Sequence, residues 1–123
     1  MSGVVEIGDQ RGRTLGFPTA NIPLDHSQVW PALGVYAARV HAGRQRHLAA
    51  VNIGVRPTIY GPDGAPLLEA HLLDFDGDLY GKVLSIDLVE RLRPEQRFGG
   101  LDELVTQLRS DVARARLVLA DHP

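Results

Sequence analysis

The sequence predicts a mainly β chain: an antiparallel barrel over about residues 3–93, closed on one side or end by a C-terminal helix over about 101–120. Two observations predict it. Short apolar, β-prone runs follow one another from Val4 to Leu92, separated by Gly, Pro and Asp turns with no helical period between them. After Gly99-Gly100 the period changes, and Leu101, Leu104, Val105, Leu108, Val112, Ala115 and Leu119 recur at three- and four-residue steps, forming one stripe of a helix.

Each element has its own signal. Val4-Val5-Glu6-Ile7 is a short strand that ends at Gly8-Asp9, and Pro18-Thr19-Ala20-Asn21 is a strand entry after a glycine-punctuated loop. Val35 to His41 and His47 to Ile53 form a hairpin about a turn at Ala42-Gly43-Arg44. Gly54-Val55-Arg56-Pro57-Thr58 leaves that strand, and Tyr60 to Pro66 reads as a loop rich in turn residues. Leu67 to Asp74 is the next strand, and the period of two puts Glu69 on one face with Leu67, His71 and Leu73, opposite Leu68, Ala70 and Leu72. Lys82 to Leu92 mixes strict alternation with full burial, as in a closed or two-layered sheet. Asp102 and Glu103 sit in the first helical turn, where they complement the dipole. Gly99-Gly100 makes the start of that helix loose.

Composition narrows the function. The 123 residues fit one domain, and the absence of cysteine removes disulfides, thiolate metal sites and cysteine nucleophiles while agreeing with a reducing compartment. A formal charge of -2 without a basic, aromatic-interleaved run argues against a nucleic-acid partner. No apolar stretch approaches the ~18 residues of a membrane span, and Met1 to Glu6 lacks the basic region of a signal peptide. A soluble cytoplasmic domain is the default expectation.

The richest chemistry lies in Gly12-Arg13-Thr14-Leu15-Gly16-Phe17-Pro18-Thr19-Ala20-Asn21. Glycines around Arg13 and Leu15 let backbone N–H groups approach an anion, and Thr19 and Asn21 project their oxygens to one side of an extended segment, as a hard cation such as Mg²⁺ requires. An ordinary Gly/Pro turn into a strand is the competing reading. No Walker loop, no G-x-G-x-x-G and no kinase H-R-D or D-F-G set is present, so any phosphate chemistry uses another cradle. Glu69, inside an apolar strand, is either a solvent-facing side chain or a general base. His26, His41, His47, His71 and His122 lack ligand spacing, and His71 shares the Glu69 face. Asn52 with Gly54, and Arg93 with Glu95, lie at strand ends from which they could reach a ligand.

Taken in order, Gly12 to Asn21, Gly34-Val35-Tyr36-Ala37, Asn52 to Thr58, Glu69 to Phe75, Leu79-Tyr80-Gly81 and Leu92-Arg93-Pro94-Glu95 through Phe98 resemble the bacterial riboflavin kinases across nearly the whole chain. That resemblance implies a six-stranded Greek-key barrel, a riboflavin kinase domain over 1–123, and transfer of the γ-phosphate of ATP to the 5′-hydroxyl of riboflavin, giving FMN and ADP. It implies Mg²⁺, with Mn²⁺ or Zn²⁺ as alternatives, at Thr19 and Asn21. Gly12, Arg13, Leu15, Gly16, Pro18, Asn52 and His71 would join those two around the nucleotide, and Glu69 would be the base. Arg93, Glu95 and Asp111 are assigned to the flavin side. Many bacterial relatives fuse this domain to an FMN adenylyltransferase carrying an H-x-G-H signature. This sequence lacks that signature, so FAD synthesis is not expected, and the adenylyltransferase is expected as a separate or excised domain. The alternative function is a non-catalytic flavin or nucleotide sensor that keeps the barrel.

Overall fold

The structure, a computed structural model, describes residues 1–5, 20–24, 32–58, 61–74, 81–96 and 98–120, with the side chains of 55–58 and 61–66 left aside. Six antiparallel strands form one sheet in the order β1-β6-β3-β4-β5-β2: β1 (Ser2–Val4), β2 (Ala20–Pro23), β3 (Gly34–Ala42), β4 (Gln45–Thr58), β5 (Gly61–Leu72) and β6 (Val83–Arg93). The helix α1 (Leu101–Ala120) follows. Three consecutive strands, β3, β4 and β5, pair as a meander, and β6 returns beside β3, which is the Greek-key order.

The sheet curls until its edge strands meet, giving a nearly closed barrel. A Cβ on Gly3 in β1 would collide with Cγ2 of Ile22 in β2, so the glycine is what lets the two edges approach. The interior is filled by alternate residues of β2 to β6, among them Ile22, Val40, Val51, Ile53, Leu68, Leu84 and Ile86, all essentially inaccessible to water. Tyr36 also points inward, and its hydroxyl donates to the Ala32 carbonyl at 2.5 Å. A second apolar cluster lies outside the barrel wall, where Val35, Ala37, Ala50, Leu73 and Leu92 pack beneath Ala115 and Leu119 of α1. The helix therefore covers the outer face of β3, β4 and β6.

Several expectations are corrected. Among the described residues the first strand is Ser2–Val4, starting before the expected Val4, and Ile86 N–H donates to the Met1 carbonyl at 2.5 Å; Glu6 and Ile7 of the expected strand lie with residues 6–19 outside the described ones. Residues 54–58 and 61–66, read as loop, continue β4 and β5 as a long ribbon in which Val55 pairs with Pro66 and Thr58 with Gly61. The register shifts between Arg56 and Thr58, so Pro57 sits at an irregularity, where a missing N–H breaks no ladder. Leu101, placed in the buried stripe, is 56% exposed, and the helix residues that pack in the cluster on the sheet are Val112, Ala115, Val118 and Leu119. At the double glycine, Gly99 N–H donates to Glu103 Oε2 at 2.9 Å, a glutamate reaching back over the first turn.

Candidate active site

Strand register assembles the site. Asn21 in β2 lies directly opposite Glu69 in β5, and Glu69 lies opposite Asn52 in β4. Directly opposed residues share a face with Cβ atoms about 4.5–5.5 Å apart, so an amide, a carboxylate and a second amide form one row across three strands. The same row continues through Val35 in β3 to Arg93 at the end of β6. Val35 belongs to the cluster beneath the helix, whereas Ala20, Ile22, Val51, Ile53, Leu68 and Ala70, the alternate residues, fill the barrel. The row therefore runs over the outer wall, beside the patch that α1 covers. Glu69 and His71 share that face as the period of two predicts, with His71 opposite Ala50.

Burial grades along the row. Asn21 is 8% exposed and Glu69 and Asn52 are partly exposed, so this is a shallow polar strip with one sunken amide. Its chemistry is oxygen-rich, which suits a hard cation held by few protein ligands. No cluster of three or more His, Cys, Asp or Glu that could cage a metal is present among the described residues.

The far end of the row is held by an ion pair. Arg93 Nε donates to Asp111 Oδ1 at 2.9 Å and Nη2 to Oδ2 at 2.8 Å, a two-pronged contact between the last residue of β6 and the buried face of α1. Gln107 Nε2 adds a third hydrogen bond to Oδ1 at 3.0 Å. Asp111 is 2% exposed, and satisfying both oxygens is what makes that burial tolerable. The remaining nitrogen of Arg93, Nη1, donates to the Pro94 carbonyl at 3.1 Å, and the guanidinium lies 5.9 Å from the centre of the Phe98 ring. Between them Glu95 leans its carboxylate onto Gly54, on the Asn52 side of the strip.

The structure thus brings together Asn21, Glu69, His71 and Asn52, and pairs Arg93 with Asp111 beside Glu95. Gly12, Arg13, Leu15, Gly16, Pro18 and Thr19 lie outside the described residues. Sequence reasoning missed Gln107, although its spacing of four from Asp111 on a helix was available as a signal. It also missed Arg114, whose Nη1 donates to the Leu92 carbonyl at 2.8 Å.

The family profile described as Flavokinase: Riboflavin kinase matches residues 1–119. This chain belongs to the riboflavin kinase family. The chain shares with that family a profile named for the phosphorylation of riboflavin. It is 49% identical over 117 residues to the bifunctional riboflavin kinase/FMN adenylyltransferase of Escherichia coli K12, covering 94% of this chain and 36% of that protein. The corresponding Bacillus subtilis protein is 39% identical over 117 residues, with 94% and 37% covered. The chain thus spans little more than a third of the length of these relatives. Among solved structures, riboflavin kinase from Trypanosoma brucei superposes with a TM-score of 0.67 at 30% identity, over 97% of this chain and 78% of that one. A Streptococcus pneumoniae structure described as a macrolide-efflux protein superposes with a TM-score of 0.83 at 36% identity, over 94% of this chain and 37% of that one. No helix among the described residues is long and apolar enough to cross a membrane.

Proposed function

We propose that this chain is an Mg²⁺-dependent ATP:riboflavin 5′-phosphotransferase that works on the outer wall of its barrel. The observation that carries this reading is the Asn21–Glu69–Asn52 row, which sets one partly exposed carboxylate between two neutral amides. In the reaction the 5′-oxygen of riboflavin forms a bond to the γ-phosphorus, the bond from that phosphorus to the bridging β,γ-oxygen breaks, and ADP leaves. Glu69 accepts the hydroxyl proton, a task that needs reach rather than strong basicity when the proton departs late.

Asn21, half of the cation pair with Thr19, offers a neutral oxygen beside the Glu69 carboxylate, and a site with so few protein oxygens suits Mg²⁺ shared with phosphates and waters. Bound there, the metal neutralises charge on the transferring phosphoryl group. The Gly12 to Gly16 loop and Arg13 cover the nucleotide in this reading. Asn52 and His71 line its strip, while Arg93, Glu95 and Asp111 shape the flavin side. A separate adenylyltransferase would complete FAD synthesis, and the cytoplasm is where the chain works.

The test is direct. Incubation of the protein with riboflavin, ATP and Mg²⁺, followed by chromatographic separation of flavins, yields FMN if the reading holds. Tight flavin binding without a phosphorylated product would identify a sensor instead.

A further inference from the structure

The turn end of the β3–β4 hairpin carries a charge pattern that the catalytic row does not use. From Arg39 to His47 the chain holds three arginines, two histidines and no acid, in a protein whose formal charge is -2. Strand period and register put Arg39, His41 and Arg46 on the outer wall: Arg46 stands directly opposite His41 and Leu48 directly opposite Arg39, while Ala38 and Val40 fill the barrel. Leu48 packs against the cluster beneath α1, so Arg39 lies at the edge of the patch that the helix covers. Along β3 the group is four residues from Val35, the member of the catalytic row on that strand, a separation of about 13 Å.

Arg39 has an unmet demand. Its Nε is shielded from water and has no hydrogen-bond partner among the described residues. Asp87, directly opposite on β6, does not supply one, because its Oδ2 lies 3.3 Å from His41 Nε2 instead. A shielded guanidinium N–H without an acceptor is costly, and in native proteins such a group is accounted for by a water, an ion or a ligand. Arg39 as a whole is partly exposed and Arg46 is exposed, so an acceptor arriving from solvent reaches both.

We propose that Arg39, His41 and Arg46 form a binding site for a phosphate group, inorganic or carried on a monoester, separate from the catalytic row. The ligand class follows from the donors. A guanidinium is a fork of N–H groups with no acceptor of its own, which matches paired oxygens of an oxyanion. Arg39 and Arg46 are diagonal neighbours across the strand pair, with Cβ atoms about 7–8 Å apart, a gap that one tetrahedral anion closes between two long side chains. A water would satisfy Arg39 Nε but would leave both cations without a counter-charge. Asp87, turned to His41, adds an opposing charge that keeps the binding weak.

The experiment follows the arginine side-chain Nε–Hε resonances of the whole chain in ¹⁵N–¹H spectra while inorganic phosphate replaces chloride at constant ionic strength. A parallel titration uses ribose 5-phosphate. The Arg39 resonance is expected to shift saturably, with a midpoint at about 1 mM. Arg46→Gln, a change at an exposed position, weakens binding about 10-fold, and Asp87→Asn tightens it about threefold. Equal midpoints for the two probes assign the site to inorganic phosphate, and a tighter midpoint for ribose 5-phosphate assigns it to a monoester; either supports the site. A shift that rises without saturating, that Arg46→Gln leaves unchanged, or that is missing at Arg39 while other resonances move overturns the proposal. None of these readouts depends on turnover, so the site and the kinase reading stand or fall separately.

Discussion

Asn21 and Glu69 stand directly opposite each other across the β2–β5 ladder, on the outer wall of the barrel, while their chain neighbours Ala20, Ile22, Leu68 and Ala70 fill its interior. Because a slip of one residue in register would send both side chains into the core, the same apolar pattern that packs the barrel also exposes the polar pair. Stability and site geometry are therefore coupled through register.

Glu69→Gln isolates the proton-accepting role. The amide keeps the size of the side chain and its place in the row, so folding and nucleotide binding are expected to survive. Turnover is expected to fall by about 10²- to 10⁴-fold, measured as kcat for FMN formation. Turnover near that of wild type would reduce Glu69 to a strand residue.

Asp111→Ala leaves the Arg93 guanidinium without its buried counter-charge. With the Arg93 and Asp111 side chains only 14% and 4% exposed, the expected loss of folding stability is about 3–5 kcal/mol, read from urea denaturation. Replacing both partners by apolar residues of similar volume should recover much of that loss, because the penalty comes from the stranded charge rather than from the missing bond.

Ile53→Ala tests the barrel core. Ile53 is fully buried, next in sequence to Asn52 but on the opposite face, so its truncation is expected to cost about 2–5 kcal/mol of stability. Under conditions where the variant remains folded, the riboflavin KM should stay close to that of wild type.

The second helix tie responds to pH. Arg116 donates to both oxygens of Asp74, at 2.8 and 2.7 Å, and these hydrogen bonds hold the carboxyl below its ordinary value of 3.8. A pKa lowered in the folded state contributes stability that is present above 3.8 and disappears as pH falls through the folded value. The pair is exposed, so salt screens it. Arg116→Ala should therefore melt close to wild type at neutral pH, and the small difference between them should vanish in acid and in high salt. A large destabilisation at neutral pH would show that Arg116 does more than hold Asp74.

Barrel, helix and the Glu69 face were legible because each rests on a local period that apolar residues repeat: two for strands, three to four for α1. The ribbon of β4 and β5 was not. Pro57, Pro62 and Pro66 read as breakers along a single chain, and only the partner strand shows which N–H groups the ladder can spare. Leu101 kept the helical period yet is 56% exposed, since periodicity marks a face and not what packs on it. The Arg93–Asp111 pair and the approach of Glu95 to Gly54 depend on a strand end meeting a helix and a loop folding back over β4, neither of which leaves a local mark.

The most direct measurement follows label from γ-labelled ATP in the presence of riboflavin and Mg²⁺. Label should appear in FMN, disappear from that product when the metal is chelated, and transfer about 10²- to 10⁴-fold more slowly in Glu69→Gln. Label that stays in ATP or emerges only as inorganic phosphate with the wild-type protein would contradict the account.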